Sequence, residues 1–438
     1  MNDRLSPSIV VLLVVLVAVY VGIGSLYATL TPAWQVPDEP AHYNYVRSLA
    51  KGRGFPVLEE GDYDQEYQER LTSERFPAEL SVKPLTYEDH QPPLYYLLAT
   101  PVYLLSGGAL LPLRLLSVVL GAVLLIVAFG TVRTLFPKRP ELGLMAAALI
   151  AFIPQHVAMT AGVNNDILAE LVVGATLWAL LVYLGGQTDR PWASGLLVGT
   201  ALLTKTTAYV VVGVAVGAVL MRWYREDRTW RWTAGQLAWL FIPALLLSAP
   251  WFIRNGLTYG WSDPLALARH EAVVEAQPRS SDWLTVHGWA GLLKILARTT
   301  FQSFWGQFGW MAVPLPARIY RALLLLSILL AAGFLVWLIR YRKLSRDRPL
   351  AAYGCLLLGL SAAFTFSAFI WYNFTFVQHQ GRYLFPALIP LATAAALGLE
   401  TLSSVLPRWL RPWALSSLFA ALATFDVYCL FKIVLPNL

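Results

Sequence analysis

The fold turns on "PPLYYLLATPVYLL", residues 92–105. The stretch is apolar, opens on two prolines and carries a third, Pro101. Apolar runs of about 10–14 residues usually lie at an interface or re-enter, whereas about 20 residues are needed to cross roughly 30 Å of hydrocarbon. Runs of that greater length fill the rest of the chain. Of its 438 residues 57% are hydrophobic and 13% charged, and the mean hydropathy is +0.56. Such a composition excludes an ordinary soluble domain. The runs lack the period-two alternation of a membrane barrel. The expected class is an all-α polytopic membrane protein.

Candidate spans are 8–30, 112–132, 142–161, 167–184, 192–204, 207–221, 236–253, 318–339, 350–372, 383–402 and 413–433. That is eleven when 92–105 lies against the membrane. Charge supports this count, because cytoplasmic loops concentrate Lys and Arg. With the N-terminus in the cytoplasm, the clusters Arg133, Lys138 and Arg139; Arg190; Arg222, Arg225, Arg228 and Arg231; Arg340, Arg342, Lys343, Arg346 and Arg348; and Arg408 and Arg411 all fall on one side. A crossing at 92–105 would turn every one of them outward. The net charge of +7 is therefore a topology signal, and nucleic acid is not an expected partner. The first run, Ser8–Leu30, is too long for a cleavable signal and reads as a signal anchor. Cys355 and Cys429 lie in apolar runs and read as small buried hydrophobes.

This topology leaves 31–91 and 254–317 outside. The first holds six basic and twelve acidic side chains. Polar residues near a bilayer are costly and mark function, and here they gather on the outer side. "WQVPDEPAHYNYVR" (34–47) starts a surface helix with Asp38 as its cap, and places Asp38 and His42 on one face. "YEDHQPPLYYLL" (87–98) carries His90 and Gln91, and "MTAGVNNDILAE" (159–170) carries Asn165 and Asp166. "LLTKTTAY" (202–209) sets Lys205 in a tight outer hairpin, against the positive-inside bias. "PWFIRNGLTYG" (250–260) supplies Arg254, and "QHQGRYLFPALIPL" (378–391) supplies His379 and Arg382. Each alone also fits a helix cap, a snorkelling lysine or an arginine at lipid headgroups. Together, carboxylates with one Lys and two Arg describe a site for an anionic amphiphile, since the guanidinium fork suits phosphate.

The succession of an Asp-Glu pair after the first span, "HQPPLYY", "NDILA", "LTK", "PWFIRN" and "GRYLFPALIP" resembles the GT-C superfamily of membrane glycosyltransferases. The resemblance runs from about residue 10 to 400 and is nearest the protein O-mannosyltransferase and aminoarabinose-transferase branch. It implies a GT-C fold of about eleven transmembrane helices, with juxtamembrane helices in the first outer loop. It implies a catalytic membrane module over 1–255, an outer loop over 256–317 and a C-terminal membrane module over 318–438. It further implies a polyprenyl-phosphate-linked sugar as donor, an extracytoplasmic site in the cell membrane, Asp38 as catalytic base and Glu39 as a group positioning the acceptor or a metal. The acceptor is left open among a protein, a glycolipid and a cell-wall glycan. The position before Pro92 is Lys in the aminoarabinose branch and Gln91 here, so phosphate contact falls to Lys205, Arg254 or Arg382. His90 stands where that branch has a carboxylate. No cofactor is required; a divalent metal is left open, with Glu39, His90 and Asp166 as candidate ligands.

The chemistry is coherent on its own terms. Phosphate is a good leaving group, so the expectation is a base for the acceptor hydroxyl, cations for the departing phosphate and no general acid. Direct displacement then inverts the sugar carbon. The alternative is a transporter or flippase of a lipid-linked sugar or another amphiphile, which predicts polar groups along a path between both faces.

Overall fold

The computed structural model describes residues 5–274, 276–344 and 349–438. Arg346 and Arg348 of the expected basic loop lie outside them. The chain is an integral membrane protein built of helices. The first span, α1 (Pro7–Leu30), leads into a helical outer segment. This comprises α2 (Glu39–Ala50), α3 (Gln65–Ser73) and α4 (Leu94–Leu105). α4 has 12 residues, about 18 Å at about 1.5 Å per residue, too short to cross. Tyr95, Tyr96 and Ala99 face the protein, while Leu97, Leu98, Leu104 and Leu105 are exposed. An apolar outer face on a short helix suits contact with lipid.

The bundle continues with α5 (Leu110–Leu135), α6 (Pro140–Ala151), α7 (Pro154–Thr160), α8 (Asp166–Leu184), α9 (Trp192–Leu202), α10 (Val210–Arg225, entered by a 3₁₀ turn Thr206–Tyr209) and α11 (Trp230–Tyr259). Each of the eleven expected segments is helical, but two do not form simple spans. Nine helices among the described residues are long and apolar enough to cross, or ten with the bent pair α6–α7. That pair bends by 71°. Pro154 offers no N–H to the preceding turn, and Ile153 before it is extended (φ −97°, ψ 109°), as the residue before a proline prefers. The other departure is α9, with only 11 residues. Its early end recesses the following turn, so Lys205 is buried rather than set in an outer hairpin.

The segment 254–317, expected as a broken loop, is largely helical. It holds α12 (Leu267–Val273), α13 (Ser280–Trp305) and a hairpin of β1 (Gln307–Phe308) and β2 (Val313–Pro314). α13 is kinked at Gly288, whose φ of 65° is a conformation glycine adopts without strain. The chain closes with α14 (Ala317–Leu344), α15 (Pro349–Thr375), α16 (Leu388–Ser403, entered by a 3₁₀ turn Gly381–Ala387) and α17 (Arg411–Tyr428). α17 runs on through one π-helical stretch, Cys429–Val434. α5, α8 and the 381–403 segment form the centre, with 67%, 72% and 67% of their apolar windows buried, against 17% for α1 and α14 at the lipid-facing rim. One core cluster draws its residues from Tyr20 to Val434.

Candidate active site

The residues flagged along the sequence come from six separate places, and most converge at one end of the bundle. Asp38 precedes α2 in a left-handed conformation (φ 65°) and does not cap it. A capping side chain needs an extended backbone to reach the first-turn N–H groups; here the carboxylate turns away. Its Oδ1 accepts from the Tyr87 hydroxyl at 2.9 Å and its Oδ2 from Arg382 Nη2 at 2.6 Å. Across from it, Lys205 Nζ lies 2.5 Å from Asp166 Oδ1, and Arg382 Nη1 lies 3.9 Å from Asp166 Oδ2. Two carboxylates and two cations thus alternate around one cluster. Among the described residues, Nε and Nη1 of Arg382 are buried without a hydrogen-bond partner. They lie on different edges of the guanidinium, so each is open to a separate acceptor oxygen.

Local sequence explains this placement. Gly381 comes so close to α13 that an added Cβ would lie 2.4 Å from Phe304 N and from Thr300 O. Its N–H donates to Ser303 Oγ at 2.7 Å, which fixes the start of the turn carrying Arg382. Asn164 Oδ1 accepts from the Asp166 N–H at 2.8 Å and so starts α8. Burial pushes the Asp38 carboxyl upward, but Arg382, and then Lys205, outweigh it and hold Asp38 below the usual carboxylate range. His42 Nδ1 lies 2.8 Å from the Tyr96 hydroxyl, and its Nε2 is buried and unpartnered among the described residues. Burial and then Lys205 push this imidazole down to about 3, so it is neutral. Asn165 Nδ2 reaches Gln91 Oε1, the Tyr96 hydroxyl and Thr204 O, each at 3.4 Å. His90 stacks near His270, ring centres 4.5 Å apart, and burial pushes it well below its ordinary value.

A cavity of about 390 Å³ opens beside Asp38. One wall is polar, formed by Asp38, Glu88, Lys205 and Arg382. The other belongs to α15, with Ala368, Phe369, Tyr372 and the exposed Trp371. A charged end and an apolar end in one cavity fit an amphiphile with an anionic headgroup.

Three expectations need correction. Glu39 does not face this cavity. It is fully buried and receives Arg114 in a bidentate pair, 2.7 Å from Nε and 2.6 Å from Nη2, together with the N–H groups of Trp34 and Val163. Its oxygens are committed, so it is placed to hold the Asp38 turn rather than an acceptor or a metal. Arg254 is also elsewhere. It donates to the carbonyls of Phe55 and Pro56 at 3.1 and 2.5 Å and to Asn255 Oδ1 at 3.0 Å, fastening the outer segment to α11. His379 sits behind Arg382 with its ring against Trp283, outside the cavity wall. Among the described residues no three of His, Cys, Asp and Glu stand close enough to hold a metal ion.

Arg114, Tyr87 and Glu88 escaped the sequence reading. Arg114 had a visible signal: it stands alone at the outer start of an apolar run, "LLPLRLLSVV" (110–119), where an ionisable residue marks a buried partner. The helix centres are also less apolar than expected. His156 Nε2 and Glu170 Oε2 pair at 2.9 Å in the interior, and Asp426 is buried with neither oxygen partnered among the described residues. A second cavity at the basic end of the bundle, lined by Lys138, Arg139, Glu400 and Arg411, shares no lining residue with the Asp38 cavity.

Residues 90–253 match the family model described as dolichyl-phosphate-mannose-protein mannosyltransferase. No curated protein sequence matches the chain. Among solved structures, the apo oligosaccharyltransferase of Archaeoglobus fulgidus is similar with a TM-score of 0.54 and 14% identity, over 97% of this chain and 55% of that one. The same enzyme tethered to an acceptor peptide containing the NVT sequon gives 0.50 and 15%, over 95% and 54%. ArnT from Cupriavidus metallidurans bound to undecaprenyl phosphate gives 0.48 and 17%, over 88% and 60%. The chain thus spans 60% or less of the length of these structures. It is an integral membrane protein with the fold of the Archaeoglobus fulgidus oligosaccharyltransferase, and residues 90–253 match the mannosyltransferase family model.

Proposed function

We propose that the protein transfers a sugar from a polyprenyl-phosphate donor to an acceptor hydroxyl on the extracytoplasmic face of the cell membrane, with inversion at the sugar carbon. The observation that carries this reading is the Asp38–Arg382 pair, with Lys205 paired to Asp166 beside it, at the polar end of a cavity whose far wall is apolar α15. The donor chemistry accords with the dolichyl-phosphate-mannose description of the family model.

Each residue then has a task. The donor phosphate enters between Arg382 and Lys205 and accepts from an unpartnered N–H of Arg382. Competition from the phosphate loosens Arg382 from Asp38. The freed carboxylate, ionised at neutral pH, accepts the proton of the acceptor hydroxyl as that oxygen attacks the sugar carbon. A positioned base contributes about 10²–10⁴-fold. Lys205 and Arg382 meet the charge that grows on the departing phosphate, and removal of one such donor typically costs about 10²–10³-fold. Neutral His42 and the Asn165 amide offer uncharged hydrogen bonds to sugar hydroxyls. The Phe369 and Tyr372 wall takes the first isoprene units.

A transporter would need a polar route from one face to the other. The two cavities share no lining residue. The testing experiment follows donor and acceptor together. Purified protein in liposomes receives a radiolabelled polyprenyl-phosphate sugar and candidate hydroxyl acceptors. The expected result is donor consumption matched by acceptor label of inverted anomeric configuration. Movement of intact donor across the bilayer without acceptor label would overturn the reading.

A further inference from the structure

A second carboxyl faces the same cavity and has no task in the transfer described above. Glu88 follows Tyr87, whose hydroxyl holds Asp38 Oδ1 at 2.9 Å, so one short loop sets both carboxyls against one space. Its Oε2 is shielded from solvent and has no hydrogen-bond partner among the described residues. An ionised carboxylate with an empty, buried oxygen is costly, whereas the protonated acid carries no charge to desolvate. The groups around it are Asp38 from the start of α2, Lys205 from the turn after α9, Arg382 from the turn before α16, Gln91 on its own loop, the phenols of Tyr96 and Tyr372, and Asp89 beside it. His90, His270 and Glu271 line the same cavity.

We propose that Glu88 is the proton donor to the departing phosphate, acting opposite Asp38 across the reacting atoms. This inference rests on the transferase reading. Burial and then the charge of Asp38 push the Glu88 carboxyl up to about 7, while Lys205 and Arg382 limit the rise. Asp38 is held low by Arg382 at the same time. Two carboxyls in one cavity whose proton affinities are driven apart divide into a base and an acid. Breaking the bond turns the donor's phosphodiester monoanion into a monoester dianion, whose second ionisation lies near pKa ~6, within about one unit of a carboxyl titrating near 7.

The step balances without a co-reactant. The acceptor oxygen forms the new bond to the sugar carbon, and its proton passes to Asp38. The bond between that carbon and the phosphate oxygen breaks, and its electron pair stays with the phosphate. The Glu88 proton goes to the phosphate. After product leaves, the proton on Asp38 returns to Glu88, so the net transfer is one proton from acceptor to phosphate. This departs from the sequence-based expectation of no general acid, which rested on phosphate being a good leaving group.

The test is the pH profile of transfer at saturating donor, measured on the full chain in liposomes for wild type, Glu88→Gln and Glu88→Asp. The protonated acid is lost as pH rises through about 7. The wild-type rate therefore falls about tenfold per unit on the alkaline side. Glu88→Gln keeps a neutral side chain but has no proton to give. Its rate drops by about 10²-fold, its alkaline decline disappears, and its KM for donor stays near the wild-type value. Glu88→Asp, which keeps a carboxyl, retains the alkaline decline. If Glu88→Gln keeps both the wild-type rate and the decline, the assignment of Glu88 is overturned while the transferase reading stands. If wild type itself transfers no sugar, the transferase reading falls and the assignment falls with it.

Discussion

Arg114→Met tests the architecture behind Asp38. In the native protein all five guanidinium N–H groups of Arg114 are used: two on Glu39, and three on the carbonyls of Ala28, Thr31 and Pro32. Glu39 is 0% exposed and Arg114 3% exposed. Methionine fills much of the same volume, so packing changes little; the loss is electrostatic. It strands a buried carboxylate with only the Trp34 and Val163 N–H groups, and leaves three carbonyls short. Breaking a buried ion pair from one side costs about 3–5 kcal/mol, or two to four powers of ten in the folding equilibrium at about 1.4 kcal/mol per decade. Glu39→Gln in the same background removes the stranded charge and returns part of that loss, since contacting residues couple by about 0.5–3 kcal/mol. Arg114→Lys does not restore the clamp, because an ammonium lacks the planar fork. The assay is thermal unfolding of purified protein in detergent, with transfer measured below the transition. The expected order is wild type, then the Glu39→Gln/Arg114→Met double variant, then Arg114→Met. Transfer falls in step, because the left-handed turn at Asp38 loses its anchor. An Arg114→Met protein as stable and active as wild type would refute the clamp.

Arg382→Lys keeps the charge but loses the fork; donor KM rises and the rate falls by about 10²-fold, as read from initial velocities against donor concentration. Arg254→Ala leaves the rate within a few-fold of wild type but frees the Phe55–Pro56 strand from α11, and limited proteolysis within 53–62 shows the release. On the acid side, Asp38 is held below the usual carboxylate range, chiefly by Arg382 against the push of burial. The base stays ionised above that range and is lost only as pH falls through its lowered pKa. The rate therefore shows no decline attributable to Asp38 until pH drops below ~4, and Arg382→Ala moves that limb upward.

The membrane bundle was legible because span length and loop charge are strong, redundant signals. Every expected segment is a helix. The exceptions have local causes the hydropathy pattern does not carry. Pro154 breaks one span, and α9 ends after 11 residues because the Thr204–Lys205 turn is anchored inside. The same turn made Lys205 readable as an oddity, an outward lysine against the charge bias, although its burial was not readable. Arginines were harder. Arg254, Arg382 and Arg114 all stand at the same end of apolar helices. Which one turns inward depends on the packing of α13 against Gly381 and on the carbonyls exposed after α1. Nothing within a few residues of each arginine encodes those contacts. The Asp-Glu pair shows the limit most sharply. Two adjacent carboxylates look equivalent along the chain, yet the turn at φ 65° sends Asp38 to the cavity and Glu39 to Arg114. Tyr87 and Glu88 were passed over because phenols and acids are common at a membrane surface, and their value comes only from facing Asp38.

The most direct measurement is sugar transfer by Asp38→Asn in the liposome assay, beside wild type, with folding checked by thermal unfolding. Asparagine keeps the shape and can still meet Tyr87 and Arg382, but it cannot take a proton at neutral pH. The account predicts a folded protein that binds donor and transfers at least about 10²-fold more slowly. An Asp38→Asn protein that transfers sugar at the wild-type rate would contradict it.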